Sequence, residues 1–187
     1  MKALRKAVTT RLNFEMANTS AIVRFALRLK PDIVCIVPEK REEVTTEGGL
    51  NVADQLRGLK RTCRRMNDSG IEVSLFIDPE MTQVEASAKS GAKFIELHTG
   101  AYAEQFDNAR RRQRELSRLI AASTHAHAMG LRVNAGHGLN YENLTDLHAV
   151  PHMEELNIGH SIVSHAISVG LTKAVKEILR LMKGYHG

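Results

Sequence analysis

Two glycine-histidine turns are the places where this chain could move protons or hold an anion. Ala135-Gly136-His137-Gly138-Leu139 follows an apolar run. Flanking glycines let backbone approach a ligand and leave the imidazole free to swing over it. A histidine titrating near neutrality can donate or accept a proton. Asn157-Ile158-Gly159-His160-Ser161 closes the next apolar run and opens a helical stretch. Backbone N–H groups at a helix N-terminus bind phosphate. The competing readings are a tight turn with a solvent-facing histidine and a helix cap without a ligand. Two such turns at consecutive strand ends favour the chemical reading of both. Glu15 and Glu96 each lie within or at the end of an apolar strand. A desolvated carboxyl there would have a raised pKa and could serve as a general base; the alternative is an outward residue in a salt bridge. The polar loop from Glu39-Lys40-Arg41 through Thr45-Thr46-Glu47-Gly48-Gly49-Leu50 offers hydroxyls, cations and two glycines. It could close over a substrate, or be a plain surface loop.

Composition removes other classes. The net charge is +5, with clusters at Arg64-Arg65 and Arg110-Arg111-Arg112. Both lie in helical stretches, read as solvated faces, and no aromatic residues interleave to stack bases, so no nucleic-acid partner is expected. Cys35 and Cys63 form no CxxC, and no HExxH occurs, so no metal or redox site is expected. Cys35, inside Ile33-Val34-Cys35-Ile36-Val37, reads as a small core residue. His125, His127, His148, His152 and His186 are given surface roles. No apolar segment approaches the ~20 residues that span a bilayer. Met1 to Thr10 is basic and amphipathic, unlike a signal peptide, so a cytoplasmic protein without a membrane partner is expected.

The elements that must position these residues alternate. With 187 residues, the chain reads as a single domain, 1–187. Apolar runs at 12–16, 33–37, 73–77, 94–97, 131–135 and 156–158 read as strands. Helical stretches at 22–29, 52–66, 82–89, 108–129, 142–148, 162–169 and 172–182 lie between and after them, and the chain begins inside a helix. Such alternation favours a parallel sheet with helices outside. Each strand has polar residues at or just after its C-terminal end: Glu15, Glu39-Lys40-Arg41, Asp78, Glu96 with His98, Asn134 with His137, and Asn157 with His160. Barrels gather chemistry from many strand ends, whereas an open doubly wound sheet concentrates it at one switch point. The expected fold is α/β, a (β/α)8 TIM-barrel type with about six of eight βα units present. A complete barrel takes roughly 250 residues, and the helical start fits absence of the first strand, first helix and second strand.

Arg11-Leu12-Asn13-Phe14-Glu15-Met16-Ala17, Val37-Pro38-Glu39-Lys40-Arg41, Glu43 to Leu50, Val73 to Asp78, Ile95-Glu96-Leu97-His98-Thr99-Gly100, Val133 to Leu139 and Glu155 to His160 together resemble the pyridoxine 5'-phosphate synthase family. The resemblance runs in order along nearly the whole chain. It implies a (β/α)8 barrel, commonly octameric, of the transferase class and needing no metal or organic cofactor. Its partners are small phosphorylated substrates: 1-deoxy-D-xylulose 5-phosphate and 3-amino-2-oxopropyl phosphate, joined to give pyridoxine 5'-phosphate, phosphate and water in vitamin B6 synthesis. Carried over by motif, Glu15 is similar to the general base, His137 to the proton donor and Glu96 to the stabiliser of charged intermediates. Thr45 is similar to the contact for the pentulose phosphate, and Gly138, Gly159 and His160 to the amino-ketone phosphate site. The family's first two strands carry further site residues that have no counterpart here. That leaves two other readings: an inactive remnant or interaction subunit, and another phosphate-binding barrel enzyme. A Schiff-base aldolase would want a lysine at a strand end, where Lys40 is the near candidate. The expectation is that this polypeptide, expressed alone, is unstable or inactive.

Overall fold

Six short strands, each too apolar on one side to face water, stack side by side in chain order. The computed structural model describes residues 1–39 and 48–185. The order is α1 (Lys2–Ala7), β1 (Asn13–Ala17), α2 (Ser20–Leu29), β2 (Ile33–Val37), α3 (Val52–Asn67), β3 (Glu72–Ile77), α4 (Met81–Ser90), β4 (Phe94–His98), α5 (Gly100–Glu104), α6 (Ala109–Ala128) and β5 (Arg132–Gly136). A 3-10 turn (Thr145–Ala149), β6 (Met153–Asn157), α7 (His160–Val169) and α8 (Leu171–Leu181) complete it.

The sheet order is β1-β2-β3-β4-β5-β6, and every neighbouring pair is parallel. Parallel crossovers are right-handed almost without exception. A strand order that never reverses therefore puts the connecting helices on one face, which is how a barrel winds. A doubly wound sheet needs a reversal, and among the described residues there is none.

The pleat sorts the side chains. Met16, Val34, Ile36, Val73, Leu75, Ile77, Ile95, Leu97, Val133 and Ala135 join one core with residues of the helices. Burying each larger one stabilises the fold by about 1.5–3 kcal/mol. The alternate positions face the other way: Glu15 registers with Cys35, Cys35 with Ser74, and Glu96 with Asn134. This second face curls. Arg11, just before β1, donates from Nη1 to Oε1 of Glu155 on β6 at 2.9 Å and from Nη2 to Oε2 of Glu72 on β3 at 2.8 Å.

Local signals explain the boundaries. The Thr19 hydroxyl accepts the Ile22 N–H at the start of α2, an N-cap. Gly70, Gly91 and Gly130 follow α3, α4 and α6 with φ of +74°, +86° and +80°, the conformation that ends helices on glycine. Three expectations are corrected. The last strand is Met153–Asn157, not 156–158. Glu154 and Glu155 interrupt its apolar run because they pair with Arg132 and Arg11. The helix expected at 142–148 is turns followed by the 3-10 turn. There Asn140 Oδ1 takes the N–H groups of Glu142 and Asn143, and Asn143 Oδ1 takes that of Asn140, so side chains compete for the bonds a helix would use. The short helix α5 was not expected. No described helix is long and apolar enough to cross a membrane.

Candidate active site

Glu96 is the one buried carboxylate among the described residues, at 8% exposure. It sits on β4 on the curled face, and its Oε2 accepts two hydrogen bonds. Asn157 Nδ2, from the end of β6, donates at 2.6 Å, and Cys35 Sγ, from β2, donates at 3.4 Å. Burial pushes the Glu96 pKa up; the bonds from Asn157 and Cys35 and the nearby His98 offset part of that rise, and Glu155 adds to it. Cys35 is buried as expected, but its thiol lies in the site and not in the main core. Burial and the Glu96 charge raise its pKa well above the ordinary thiol value.

Two residues on, His98 lies on the same face at the strand end. Its Nδ1 is 3.0 Å from Asp78 Oδ1, and Asp78 Oδ2 accepts the Gly49 N–H at 2.9 Å. Burial would raise the Asp78 pKa, yet the bonds from His98 and Gly49 outweigh it and the net shift is downward. The His98 and His137 rings meet edge-on at 4.8 Å, and Phe76 packs on both, at 5.0 and 6.4 Å. Among the described residues, His98 Nε2, both side-chain polar atoms of Asn134 and the Ser74 hydroxyl are buried without a hydrogen-bond partner. Buried polar atoms are ordinarily bonded, so this concentration on one face marks a site and not a floor of support.

Glycines make the close approach possible. A Cβ on Gly136 would lie 2.5 Å from Glu96 Oε1, and one on Gly100 would lie 2.5 Å from His98 Nε2 and 3.2 Å from His137 Cδ2. His137 itself has φ +82°, a conformation non-glycine residues rarely adopt and one that clusters at functional sites. Thr99 secures that turn: its N–H donates to Gly136 O at 2.9 Å, and its hydroxyl lies 2.7 Å from Gly136 O and 2.6 Å from His137 O.

The expected site residues fall as follows. Glu96 and His137 come together around His98. Glu15 lies mid-strand in β1, registered with Cys35, and is exposed, the outward of the two positions the sequence allowed. Gly159 caps α7, which opens at His160; both residues are exposed, and an added Cβ at Gly159 would meet nothing within 4 Å. Gly138 has φ +76°, and a Cβ there would lie 2.7 Å from Ala103 Cβ, so packing alone requires its glycine. Thr45, with Lys40 to Glu47, lies outside the described residues, and so does His186. His98 and Asp78 were legible as strand-end polar residues, but their pairing was not. Thr99 and the thiol of Cys35 were missed. The spacing of Cys35, Glu96 and Asn157 on alternate strands is the signal that register would have supplied. His148 and His125 each bury Nε2, and His127 stacks on His152 at 3.8 Å, so four of the surface histidines expected are partly packed. Among the described residues no group of three or more His, Cys, Asp or Glu could hold a metal.

This arrangement can hold a carboxyl whose proton affinity is poised, beside an imidazole on a glycine-flanked turn and an open helix N-terminus. The chain as a whole is similar to proteins of known kind. Residues 1–184 match the family described as pyridoxal phosphate biosynthesis protein PdxJ. The pyridoxine 5'-phosphate synthase of Akkermansia muciniphila is 56% identical over 177 residues, covering 94% of this chain and 71% of the relative. That of Synechococcus sp. (strain JA-2-3B'a(2-13)) is 54% identical over 182 residues, covering 97% and 76%. In fold, the chain is similar to the tryptophan synthase A-subunit of Pyrococcus furiosus, with a TM-score of 0.62, 15% identity and coverage of 95% and 70%. It is also similar to the YdjI aldolase of Escherichia coli K12, with a TM-score of 0.61, 10% identity and coverage of 100% and 74%. At such identities these two speak for the barrel-type fold alone.

Proposed function

The chain belongs to the family of pyridoxal phosphate biosynthesis proteins whose curated members are pyridoxine 5'-phosphate synthases, and from that premise we propose that its curled face joins 1-deoxy-D-xylulose 5-phosphate to 3-amino-2-oxopropyl phosphate. An amine must condense with a ketone, after which phosphate and water leave. Every step moves a proton, so several acids and bases around one cavity suit the chemistry. Holding both substrates together supplies much of the acceleration.

In this reading Glu15 is the general base and His137 the proton donor. Glu96 stabilises positive charge as it develops on the condensing nitrogen. The open N-terminus of α7, at Gly159 and His160, takes the phosphate of the amino-ketone together with Gly138, since unpaired helix N–H groups attract an anion. Thr45 contacts the pentulose phosphate. The single observation that carries the reading is Glu96: a buried carboxyl at 8% exposure, held by donors from two other strands and facing a glycine. Fixed charge of this kind, desolvated and already oriented, is what stabilises a charged intermediate.

The six βα units read as part of an eight-unit barrel. The chain spans 71% and 76% of two longer relatives, and among the described residues β1 and β6 each have a neighbour on one side alone. Assembly into a homo-oligomer, an octamer by resemblance, is supported by apolar surface at Val163, Ile167, Leu171 and Leu179, exposed by 52% or more. A cytoplasmic setting agrees with two unpaired cysteines.

The test is to supply the purified protein with both phosphorylated substrates and follow inorganic phosphate and pyridoxine 5'-phosphate together. Against the sequence-based expectation that the chain alone is unstable or inactive, the reading predicts both products in equal amounts, each dependent on both substrates. Phosphate released from one substrate alone, or no pyridoxine 5'-phosphate, would overturn it.

A further inference from the structure

We propose that Asn157 and Cys35 are positioning residues that hold Glu96 by one oxygen, leave Oε1 as its working oxygen, and through Asn157 tie that carboxyl to the Gly159–His160 turn. The inference rests on the synthase reading for what Glu96 does, but its geometry is independent of it. Both donors, Asn157 Nδ2 at 2.6 Å and Cys35 Sγ at 3.4 Å, reach the same oxygen, Oε2. They come from β6 and β2, on opposite sides of β4, so the carboxyl cannot rotate without losing one of them.

Oε1 takes neither bond. It faces Gly136 of β5, where a Cβ would stand 2.5 Å from it and 3.1 Å from Asn157 Cβ. His98, Gly136 and Asn157 are successive partners across β4, β5 and β6. Asn157 therefore reaches Glu96 across β5 only because β5 has no side chain at that point. A glycine here serves the carboxyl, which is a different reason from the turn it begins.

Asn157 is the last residue of β6, and Gly159 and His160 follow it at the start of α7. A path of two residues thus joins the helix N-terminus that would hold phosphate to the amide that holds Glu96. Hydrogen bonds to a carboxylate favour its charged form, whereas burial favours the neutral acid. Among the described residues, the titratable groups that act on Glu96 include Cys35 on β2, His98 on β4 and Glu155 on β6. Displacing the Asn157 amide shifts that balance toward the neutral acid. Phosphate seated at the turn would in this way set the charge on Glu96 before the chemistry begins.

The experiment is a pH–rate profile of kcat and of each KM for the wild type, Asn157→Ala, Cys35→Ala and Cys35→Ser. Loss of the amide donor should move the limb belonging to Glu96 to higher pH. It should also lower kcat at neutral pH by about ten- to a hundredfold, the scale of one hydrogen bond to a charged group. Cys35→Ala should move the same limb less, and Cys35→Ser, which keeps a donor, should restore it. KM for the pentulose phosphate should change less than kcat. A lowered kcat with the profile unmoved in both alanine variants would mean a merely structural role and would overturn the inference. Should Asn157→Ala fail to fold by circular dichroism, the cysteine pair carries the same test. Should the wild type make no product, the synthase reading fails by itself. The Glu96 carboxyl carbon, followed by NMR against pH, then still reads the shift: unchanged titration in the variants would sink the proposal.

Discussion

The two ends of the same curled face are built by opposite rules. At the N-terminal ends of the strands the charges on the curled face are paired. Arg11 bonds Glu72 and Glu155, Lys93 bonds Glu72, and Arg132 bonds Glu154. The Arg11 and Arg132 guanidinium groups lie 5.6 and 4.3 Å from the centre of the Phe94 ring, a favourable cation–aromatic distance. At the C-terminal ends, a few residues along, His98 Nε2 and the Asn134 amide are buried with no partner among the described residues, and His137 takes a left-handed backbone. The lesson is that satisfied charge closes a floor, while polar groups left short of partners are kept for a substrate. Barrels divide stability and catalysis between their ends in the same way.

That division makes opposed predictions for the two ends. The largest effect is expected for His137→Gly, which removes the imidazole and relieves the positive φ. Turnover should fall about 10²–10⁴-fold, while the urea midpoint falls no lower than wild type. A variant both inactive and much less stable would erase the distinction between rim and floor.

Glu96→Gln follows, and it sharpens the comparison through pH. Burial raises the Glu96 pKa in the folded chain above its ordinary 4.5. The folded state therefore favours the protonated acid, and its advantage is complete below the unfolded pKa and lost as pH rises through the folded one. Gln keeps the neutral shape. The variant should lose turnover, match the wild type in stability below about pH 4, and exceed it increasingly toward neutral pH, as read by urea unfolding at several pH values. Equal stability at every pH would contradict the burial argument.

The floor gives smaller numbers. Arg11→Met should cost about 0.5–1 kcal/mol, the discounted value for a half-exposed pair, with the loss shrinking in high salt. Arg132→Lys loses the two-pronged contact with Glu154 and part of its stacking on Phe94, and should cost about 0.5 kcal/mol. Neither should change kcat per folded molecule.

Much of the fold could be read from residue order. Ile33–Val37, bounded by Asp32 and Pro38, appears as the strand expected. The helices ending near Gly70, Gly91 and Gly130 stop where left-handed glycines allow. Where reading failed, tertiary partners had overridden local pattern: the carboxylates of β6 look like a loop until Arg11 and Arg132 answer them. The site was half legible. Glu96 and His137 carry their own signals, a charge in an apolar run and an imidazole between glycines. The roles of Cys35, Asp78, Thr99 and Asn157 depend on register between strands distant in sequence, which no single segment encodes. Glu15 takes the outward alternative that its apolar neighbours left open: on β1, at the edge of the sheet among the described residues, it is exposed.

The most direct test of the division of labour is to measure turnover per folded molecule and unfolding free energy side by side for Glu96→Gln and Arg11→Met. The account expects the first to be at least as stable as wild type at neutral pH and to make almost no product. The second should unfold more easily yet turn over at the wild-type rate. A floor variant that lost turnover, or a rim variant that lost stability and kept its activity, would contradict it.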